Sequence, residues 1–452
     1  PAHTDGPASI FTVTTTNDTG AGSLRKAITD ANASGGLDRI NFAIGSGSVV
    51  IYPKSPLPQM NSPVIIDGTS QPGYAGVPLI AIDGNDIFVA ADGLTLLSAA
   101  TGSTIRGLVV SFFPGQGIVV NANACVVEGC YVGTTTNGAS GRGNSFSGIF
   151  VQDASNCRIG GTISSQRNVL SGNGQFGIII RGLSASDTVQ GNYIGTDATG
   201  SYALRNLWDG VRLNIYTVNG GGASNCLVGG TTPGARNIIS GNDSLGVGLF
   251  GQTVTNNRVI GNYIGTNAAG TSAIPNGLHG VSLRNSAGNT IGTASSNSIG
   301  GPNSGERNVI SGNARNGVSI VGGPSGGTGN KILGNHIGTD ITGNVKLANQ
   351  GHGVNLTTNV NNGSITNTRI GGASSDSGNV IAGNSQSGVA LDGQGVTKTA
   401  VLGNRIGLKA SVADTLGNKG SGVRVSGAPN NKIGSPASGA ANMIGGNWSN
   451  GI

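Results

Sequence analysis

Basic side chains recur at one position of a repeated strand pattern, immediately before an apolar residue that the pattern directs inward. Nine repeats show this outward position; five carry Arg or Lys, and none carries an acid. The basic members, here called the basic row, are Arg158, Arg258, Lys331, Arg369 and Lys432. The other members are Thr188, Leu227, Thr290 and Ala400, and Ile291 is the inward residue after Thr290. Neighbouring strands lie roughly 4.8 Å apart, which makes Lys331 and Arg369 direct neighbours. The row suits an acidic polysaccharide, although charge on an exposed sheet face also keeps a sheet soluble.

Carboxylates are not grouped as hydrolysis or calcium binding requires. Glycoside hydrolysis uses two carboxylates roughly 5–10 Å apart, and calcium needs several oxygen ligands together. The loop aspartates are scattered along the chain: Asp153, Asp197, Asp209, Asp340 and Asp392. Asp67 and Asp83 precede glycines and fit turn chemistry, which leaves Glu128 as the acid closest to Arg158. The sequence therefore disfavours an enzyme without excluding one, and it predicts no metal site and no cofactor.

A second outward column lies in the third strand of each repeat. Its members are Phe150, Ile179, Arg212, Gly248, Ser282, Ser319, Asn355, Ala390 and Arg424. The column contains no carboxylate and follows no pattern, so we expect a solvated face. His279 and His352 lie just before this strand in repeats two coils apart, roughly 10 Å by the strand spacing. That distance is too long for a shared metal ion with bonds near 2 Å, and we expect structural histidines.

Three aromatic residues in or beside one loop form a possible sugar platform. They are Tyr202, Trp208 and Tyr216, in a chain with only two Trp. Exposed aromatic clusters are typical of binding sites, but Trp208 could equally pack the loop onto the body of the protein.

Cys125 and Cys157 occupy equivalent inward positions of neighbouring repeats, where either a disulfide or two stacked thiols would fit.

The hexapeptide Asn168–Asn173, with the sequence Asn-Val-Leu-Ser-Gly-Asn, returns four times with small changes. The last Asn of successive copies advances by 69, 71, 71 and 63 residues, which indicates a repeat architecture. These residues are Asn173, Asn242, Asn313, Asn384 and Asn447. A second set follows glycine at another bend: Asn192, Asn262, Asn335 and Asn404. Inward amides at bends can satisfy unpaired backbone groups and stack into a ladder, so we predict a structural role for both sets.

Three short strands per turn, with bends at Gly-Asn, describe one coil of a parallel β-helix. Each coil must stack on others to bury its apolar face. We therefore predict an all-β fold, a right-handed parallel β-helix of roughly a dozen three-strand coils. Coils are irregular over 45–120 and regular over 121–452, where every second coil carries a loop of constant length, such as 196–210. Residues 1–44 contain a strand pattern and a helix pattern with Ser23 as its N-cap, and we predict that this segment caps the core.

Composition excludes several other classes. The 452 residues include 83 Gly, which rules out a helical domain, and the absence of a Gly-X-Y period rules out collagen. A net charge of +6 does not demand nucleic acid, and no apolar run is long enough to span a membrane.

Pro1-Ala2-His3 lacks a signal-peptide pattern, so we expect a removed signal. Because Asn450-Gly451-Ile452 ends inside a repeat, we expect a piece of a longer protein.

The repeats resemble bacterial extracellular right-handed parallel β-helix proteins. The resemblance rests on the Asn-Val-Ile-Ser-Gly-Asn and Gly-Asn-Tyr-Ile-Gly-Thr motifs and covers nearly the whole chain. Residues 20–28 are similar to the N-terminal cap of surface proteins that share a Cys-Ser-Leu-Arg-Glu-Ala motif, with Gly22 for Cys and Lys26 for Glu. The fold hosts lyases, epimerases, adhesins and passive stalks. Lyases of this fold hold calcium with clustered aspartates and use Arg or Lys as the base.

These observations favour a non-catalytic, secreted or cell-surface structural or adhesive protein that binds acidic or neutral polysaccharide. The first alternative is a polysaccharide-active lyase or epimerase. The second is a carbohydrate-binding module without turnover.

Overall fold

The computed structural model describes residues 8–215, 221–284, 297–324, 326–358, 363–374, 376–412 and 414–452. Within these ranges the chain winds into a right-handed solenoid with three long parallel sheets, a short fourth sheet and one α-helix. The predicted all-β architecture of stacked three-strand coils is confirmed.

Each long sheet takes one strand from successive coils. The first sheet contains Ile10–Val13, Asp38–Phe42, Val64–Asp67, Thr104–Arg106, Val126–Glu128, Arg158–Gly160, Thr188–Gln190, Leu227–Gly229, Arg258–Ile260, Ser298–Gly300, Lys331–Leu333, Arg369–Gly371, Ala400–Leu402 and Lys432–Ile433. The second sheet contains Val49–Ile51, Ile80–Asp83, Leu108–Ser111, Tyr131–Val132, Val169–Leu170, Tyr193–Ile194, Ile238–Ile239, Tyr263–Ile264, Val309–Ile310, His336–Ile337, Val380–Ile381, Arg405–Ile406 and Met443–Ile444.

The third sheet contains Leu94–Leu96, Ile118–Val120, Ile149–Gln152, Ile178–Arg181, Val211–Asn214, Val247–Phe250, Val281–Arg284, Val318–Val321, Val354–Thr357, Val389–Asp392 and Val423–Ser426. The short sheet contains Gly327–Thr328, Ile365–Thr366 and Val396–Thr397. Single 3₁₀ turns occupy Gly68–Ser70, Gly84–Asp86, Ser164–Gln166, Pro233–Ala235 and Ser304–Glu306.

The register between neighbouring strands follows the inward apolar residues, because shifting a strand by one residue would turn all its apolar side chains to solvent. Ile159 pairs with Val189, and both are almost fully buried. One predicted strand was wrong: the sequence placed Thr290 and Ile291 in the first sheet, whereas Ser298 pairs there with Arg258 and Lys331.

The difference arises because the pattern that predicts this strand occurs twice in the sequence. Two segments share the pattern Asn-x-Ile-Gly, and Asn297 of the second accepts a hydrogen bond at 2.9 Å from the backbone N–H of Asn257. Thr290 and Ile291 themselves lie outside the described residues.

Two long amide ladders run through the bends, as the repeats predict. In each ladder a side-chain Nδ2 donates to the Oδ1 of the next coil; for Asn173 and Asn206 the distance is 3.0 Å. The first ladder, between the first and second sheets, contains Asn168, Asn192, Asn237, Asn262, Asn308, Asn335, Asn379, Asn404 and Asn442. The second ladder contains Asn144, Asn173, Asn206, Asn242, Asn276, Asn313, Asn349, Asn384, Asn418 and Asn447. The sequence identified alternate members of each ladder and missed the residues between them.

A third polar column lies at the bend that precedes the first sheet. Asn257 shows its usual pattern: Oδ1 accepts from the N–H of Cys226 at 2.8 Å, and Nδ2 donates to the carbonyl of Ala223 at 3.0 Å. Asp187 takes the equivalent place two coils earlier, where its Oδ1 accepts from the N–H of Cys157 at 2.7 Å. Asp187 is completely buried, and burial raises its pKa to about 7.

The loops of constant length stack on alternate coils along one side. Each loop begins with an antiparallel bridge, such as that between Thr196 and Ala203. Each loop after the first also bonds directly to the preceding loop, as when the N–H of Ala268 donates to the carbonyl of Gly200 at 2.9 Å. The equal loop lengths keep these contacts in register, as the sequence predicts.

The N-terminal segment forms a strand and a helix, Leu24–Ala33, over the first coils. The Ser23 hydroxyl accepts from the N–H of Lys26 at 3.2 Å, which confirms the predicted N-cap. The helix buries Leu24, Ala27, Ile28 and Ala31 against the core. None of the helices in the described part of the chain has the length and hydropathy needed to cross a membrane.

Candidate anion-binding face

The outward face of the third sheet carries a cluster of arginines between aromatic rings. Arg181, Arg212 and Arg284 lie at the centre of this face, on three of four consecutive strands. The intervening strand supplies Gly248 and Phe250, which pair with Arg212 and Asn214 on one side. We call this region the arginine face.

Arg212 is fixed from three directions. Its Nε donates to Oδ2 of Asp209 at 2.6 Å, and the two side chains form an ion pair. Its guanidinium carbon lies 3.7 Å from the ring centre of Phe250 and 4.9 Å from that of Phe176. The Asp209 side chain is fully buried, and its Oδ1 also accepts from the N–H of Leu245 at 3.1 Å. Stacking and ion pairing hold the guanidinium in one orientation, so Arg212 forms the rigid centre of the face.

Arg181 and Arg284 flank this centre. Arg181 donates to Oε1 of Gln152 at 2.8 Å and lies 4.5 Å from the ring centre of Phe150. Arg284 lies 4.3 Å from the ring centre of Phe250 and has no ion-pair partner among the described residues. Burial and the nearby Arg212 lower the pKa of Arg284. Asp209 is already paired with Arg212, so Arg284 adds a positive charge that this carboxylate does not compensate, which suits an anionic ligand.

Two histidines border the face at the start of their strands. Nδ1 of His279 accepts from the N–H of Asn316 at 3.2 Å, and Nδ1 of His352 accepts from the N–H of Ser387 at 3.1 Å. This bonding assigns the imidazole proton to Nε2 in both residues. Burial, with Arg315 and Arg284 nearby, lowers the pKa of His279 to about 4. His279 is therefore a neutral N–H donor at physiological pH.

Several polar groups on this face lack a hydrogen-bond partner within the described ranges. They are the Ser282 hydroxyl and the Oδ1 atoms of Asn214 and Asn355. Buried polar atoms are nearly always paired in proteins, so unpaired oxygens below the surface of this face are unusual.

An aromatic residue at the rim extends the face. Trp208 is 49% exposed, and its ring meets Phe176 edge-on with centroids 5.0 Å apart. Tyr202, in the same loop, is 74% exposed, and Tyr216 lies outside the described residues. Trp208 thus both packs on the body and presents a ring to solvent.

The expectation of a patternless solvated face is corrected by this geometry. Arg212 is mostly buried and paired with Asp209, which lies three residues earlier, ahead of the strand. The outward column alone conceals this carboxylate. A joint search of the residue before the strand and both outward positions would have found the cluster.

The basic row occupies the first sheet, away from the arginine face. Arg158 pairs with Glu128 at 2.8 Å, and Arg258 pairs with Glu306. Lys331 and Arg369 are neighbours in register, as predicted, and Nε of Arg369 donates to the carbonyl of Gly371 at 2.9 Å. Lys432 lies on the last strand of the sheet. Two of the five charges are thus compensated by acids.

Cysteine chemistry does not add to this site. All four cysteines are free and buried, so Cys125 and Cys157 are stacked thiols and not a disulfide. A hydrogen bond with Cys125, together with burial, raises the pKa of Cys157. Across the described segments, no group of three His, Cys, Asp or Glu side chains is placed to hold a metal ion.

Comparison with solved structures identifies the fold. The A-module of mannuronan C-5 epimerase AlgE6 from Azotobacter vinelandii matches with a TM-score of 0.56 and 16% identity, over 97% of this chain and 99% of that chain. This chain shares the parallel β-helix fold of polysaccharide-acting proteins. Weaker matches include the A-module of mannuronan C-5 epimerase AlgE4 from the same organism, with a TM-score of 0.49, 14% identity and coverage of 97% and 100%. Pectate lyase Pel9A has a TM-score of 0.35 and 14% identity, over 84% of this chain and 80% of that chain. No family model and no curated protein matches the sequence.

Proposed function

We propose that this β-helix protein binds an acidic polysaccharide along the arginine face of the third sheet. The observation that carries the proposal is a set of three arginines that lie against aromatic rings on one sheet face, of which Arg284 has no ion-pair partner among the described residues. Arginine matches carboxylate and sulfate groups with paired N–H donors. The exposed ring of Trp208 gives a sugar ring an apolar surface beside those charges.

A second candidate function is turnover of the same polymer by an epimerase or a lyase. The likeness to a mannuronan C-5 epimerase over almost the full length of both chains favours this reading over a passive structural role. Both reactions remove the proton from the sugar carbon that bears the carboxylate. Removal of this proton needs a cation that neutralises the carboxylate and a base that takes the proton. Arg212 and Arg284 supply cations. His279 presents a proton at Nε2 and therefore fits the role of a donor better than that of a base.

The basic row is a rival binding surface on the first sheet. It keeps Lys331 and Arg369 side by side, so an anionic polymer has a second place to lie.

A polymer ligand also agrees with a location outside the cytoplasm or on the cell surface, which we propose for this chain.

The test is a binding and activity screen on purified protein. The polymers are polygalacturonate, alginate, dextran sulfate and neutral dextran, each at low and physiological salt. We expect weak, salt-sensitive binding to an acidic polymer, since exposed charges are screened by ions. Arg181→Gln should weaken this binding several-fold, whereas the double change Lys331→Glu with Arg369→Glu should not.

The opposite ranking of the two variants would move the site to the basic row. An absence of binding to every acidic polymer would refute the proposal. Release of unsaturated products, or a change in uronate configuration detected by NMR, would establish turnover.

A further inference from the structure

Arginines recur on the outer side of the second sheet, and each stacks on an aromatic ring of the next coil. The guanidinium carbon of Arg167 lies 4.2 Å from the ring centre of Tyr193, and that of Arg236 lies 4.2 Å from the ring centre of Tyr263. Nε of these two arginines also donates to a backbone carbonyl, at 3.2 Å and 3.3 Å respectively. Neither arginine forms an ion pair with any described residue. Both therefore present a fixed positive charge that no carboxylate compensates.

The aromatic residue one repeat earlier, Tyr131, lacks this cover. The strand partner of Tyr193 follows Arg167 by two residues, whereas the strand partner of Tyr131 follows Gly107 by two residues. Gly107 thus stands where the later repeats place an arginine. Within the described ranges, no cation stacks on the Tyr131 ring.

A cavity of about 250 Å³ lies beside this uncovered ring. Its lining brings Tyr131 and Arg167 together with Ser164 and Ser165, which belong to the 3₁₀ turn just before Arg167. Both serines are exposed, and Tyr131 and Arg167 are half-buried, so a ligand reaches all four residues from solvent. Sites for larger ligands span roughly 300–1,000 Å³, and the smaller cavity therefore suits a single small unit.

The next repeat keeps the arginine and loses the other groups. Pro233 and Gly234 take the places of the two serines in the 3₁₀ turn before Arg236. The ring of Tyr193, which corresponds to Tyr131, is already covered by an arginine. Arg236 therefore has the same stacked geometry as Arg167 without the hydroxyls and the free ring.

We propose that the cavity beside Tyr131 binds one acidic sugar unit, a uronic acid. The Arg167 guanidinium pairs with the sugar carboxylate, the serine hydroxyls bond to the sugar hydroxyls, and the Tyr131 ring packs on the apolar face of the sugar. Stacking on Tyr193 fixes the plane of the guanidinium and prepares its N–H groups for a carboxylate. This site lies on a different sheet from the arginine face and takes a single unit, so it goes beyond the proposed function.

The experiment titrates galacturonic acid into the full chain and follows binding by saturation-transfer NMR. Galactose serves as the neutral sugar, and acetate serves as the anion without a ring. We expect galacturonic acid to bind with a Kd of roughly 1 mM and the other two compounds to bind about tenfold more weakly. Arg167→Gln should weaken galacturonic acid binding about tenfold, and the double change Ser164→Ala with Ser165→Ala should weaken it several-fold. The matched control Arg236→Gln should bind like the unmodified protein.

Thermal melting checks the folding of each variant. The two serines are exposed, so their double variant should melt like the unmodified protein and keeps the test decisive if Arg167→Gln loses stability. Unchanged affinity in the serine double variant, or an equal loss in Arg167→Gln and Arg236→Gln, would overturn the site. Absence of saturable galacturonic acid binding would overturn it as well.

Two further measurements separate the source of the ligand and the two proposals. Tighter binding of a galacturonic acid trimer that Arg167→Gln also weakens identifies the end of a chain as the ligand, and equal or weaker binding identifies the free sugar acid. Arg181→Gln lies on the arginine face and should leave galacturonic acid binding unchanged. The cavity and the polymer site therefore stand or fall separately.

Discussion

Asp187 should make the stability of this protein fall as pH rises towards neutrality. The side chain is fully buried in a column that continues with Asn257, Asn297 and Asn330, and burial raises its pKa from 3.8 to about 7. A folded pKa above the unfolded pKa means that the folded state binds the proton more tightly. Stability from this group is therefore complete below about pH 4 and is lost progressively between the two pKa values.

The expected magnitude follows from the size of the shift. Each pKa unit corresponds to about 1.4 kcal/mol, so the full loss is about 4 kcal/mol, reached near pH 8. About 3 kcal/mol of that loss falls between pH 5 and pH 8. Asp187→Asn removes the titrating group and restores an amide like that of Asn257, which donates to a backbone carbonyl.

The assay is urea unfolding of the unmodified protein and Asp187→Asn at pH 5, 6, 7 and 8. We expect the variant to gain stability over the unmodified protein as pH rises, because all other titrating groups cancel in the comparison. Asn257→Asp is the matched control, since it places a carboxylate at the equivalent position and should lose stability over the same range. A constant difference between the unmodified protein and Asp187→Asn from pH 5 to 8 would refute the reasoning.

Three further predictions test other features of the fold and the site. Asn313→Ala should lower the free energy of unfolding by about 1–3 kcal/mol, because its buried amide donates to Asn349 at 2.9 Å and a partner would be left unpaired; an unchanged denaturation midpoint would contradict this. Deletion of residues 1–44 should expose the first core layer and produce aggregates in size-exclusion chromatography, whereas a monodisperse product would remove the cap assignment. Trp208→Ala should weaken polysaccharide binding several-fold with a stability loss of about 1 kcal/mol or less, because half of the ring faces solvent; equal affinity in both proteins would restrict Trp208 to packing.

The sequence predicts the solenoid well because its periodic residues report directly on strands and bends. Inward valines and isoleucines recur at period 2, and the amide of Asn173 or Asn192 marks each bend. The neighbours Lys331 and Arg369 follow from the same alignment of coils. Such predictions need only the position of a residue within its own coil.

The arginine face was missed because the outward column included only one of the two outward positions of each third-sheet strand. Arg212 and Arg284 meet across Phe250, and both Phe250 and Arg284 occupy the second outward position. Asp209 lies ahead of the strand and outside the outward column. The misplaced strand has a different cause: two segments share the pattern Asn-x-Ile-Gly, and the pattern alone does not say which of them pairs with Arg258.

The stacked loops of constant length determine how this solenoid can grow or shrink. The loop at Ala268 bonds to the loop at Gly200 across an intervening coil, and the loop at Ile341 bonds to Gly270 at 3.0 Å in the same manner. A deletion of one coil would place two coils of the same kind in contact and break this spacing, whereas removal of a pair would keep the two kinds alternating. The modular unit for shortening or lengthening the protein is therefore a block of two coils. Engineered insertions should add about 70 residues, the interval at which the Asn-Val-Ile-Ser-Gly-Asn motif recurs.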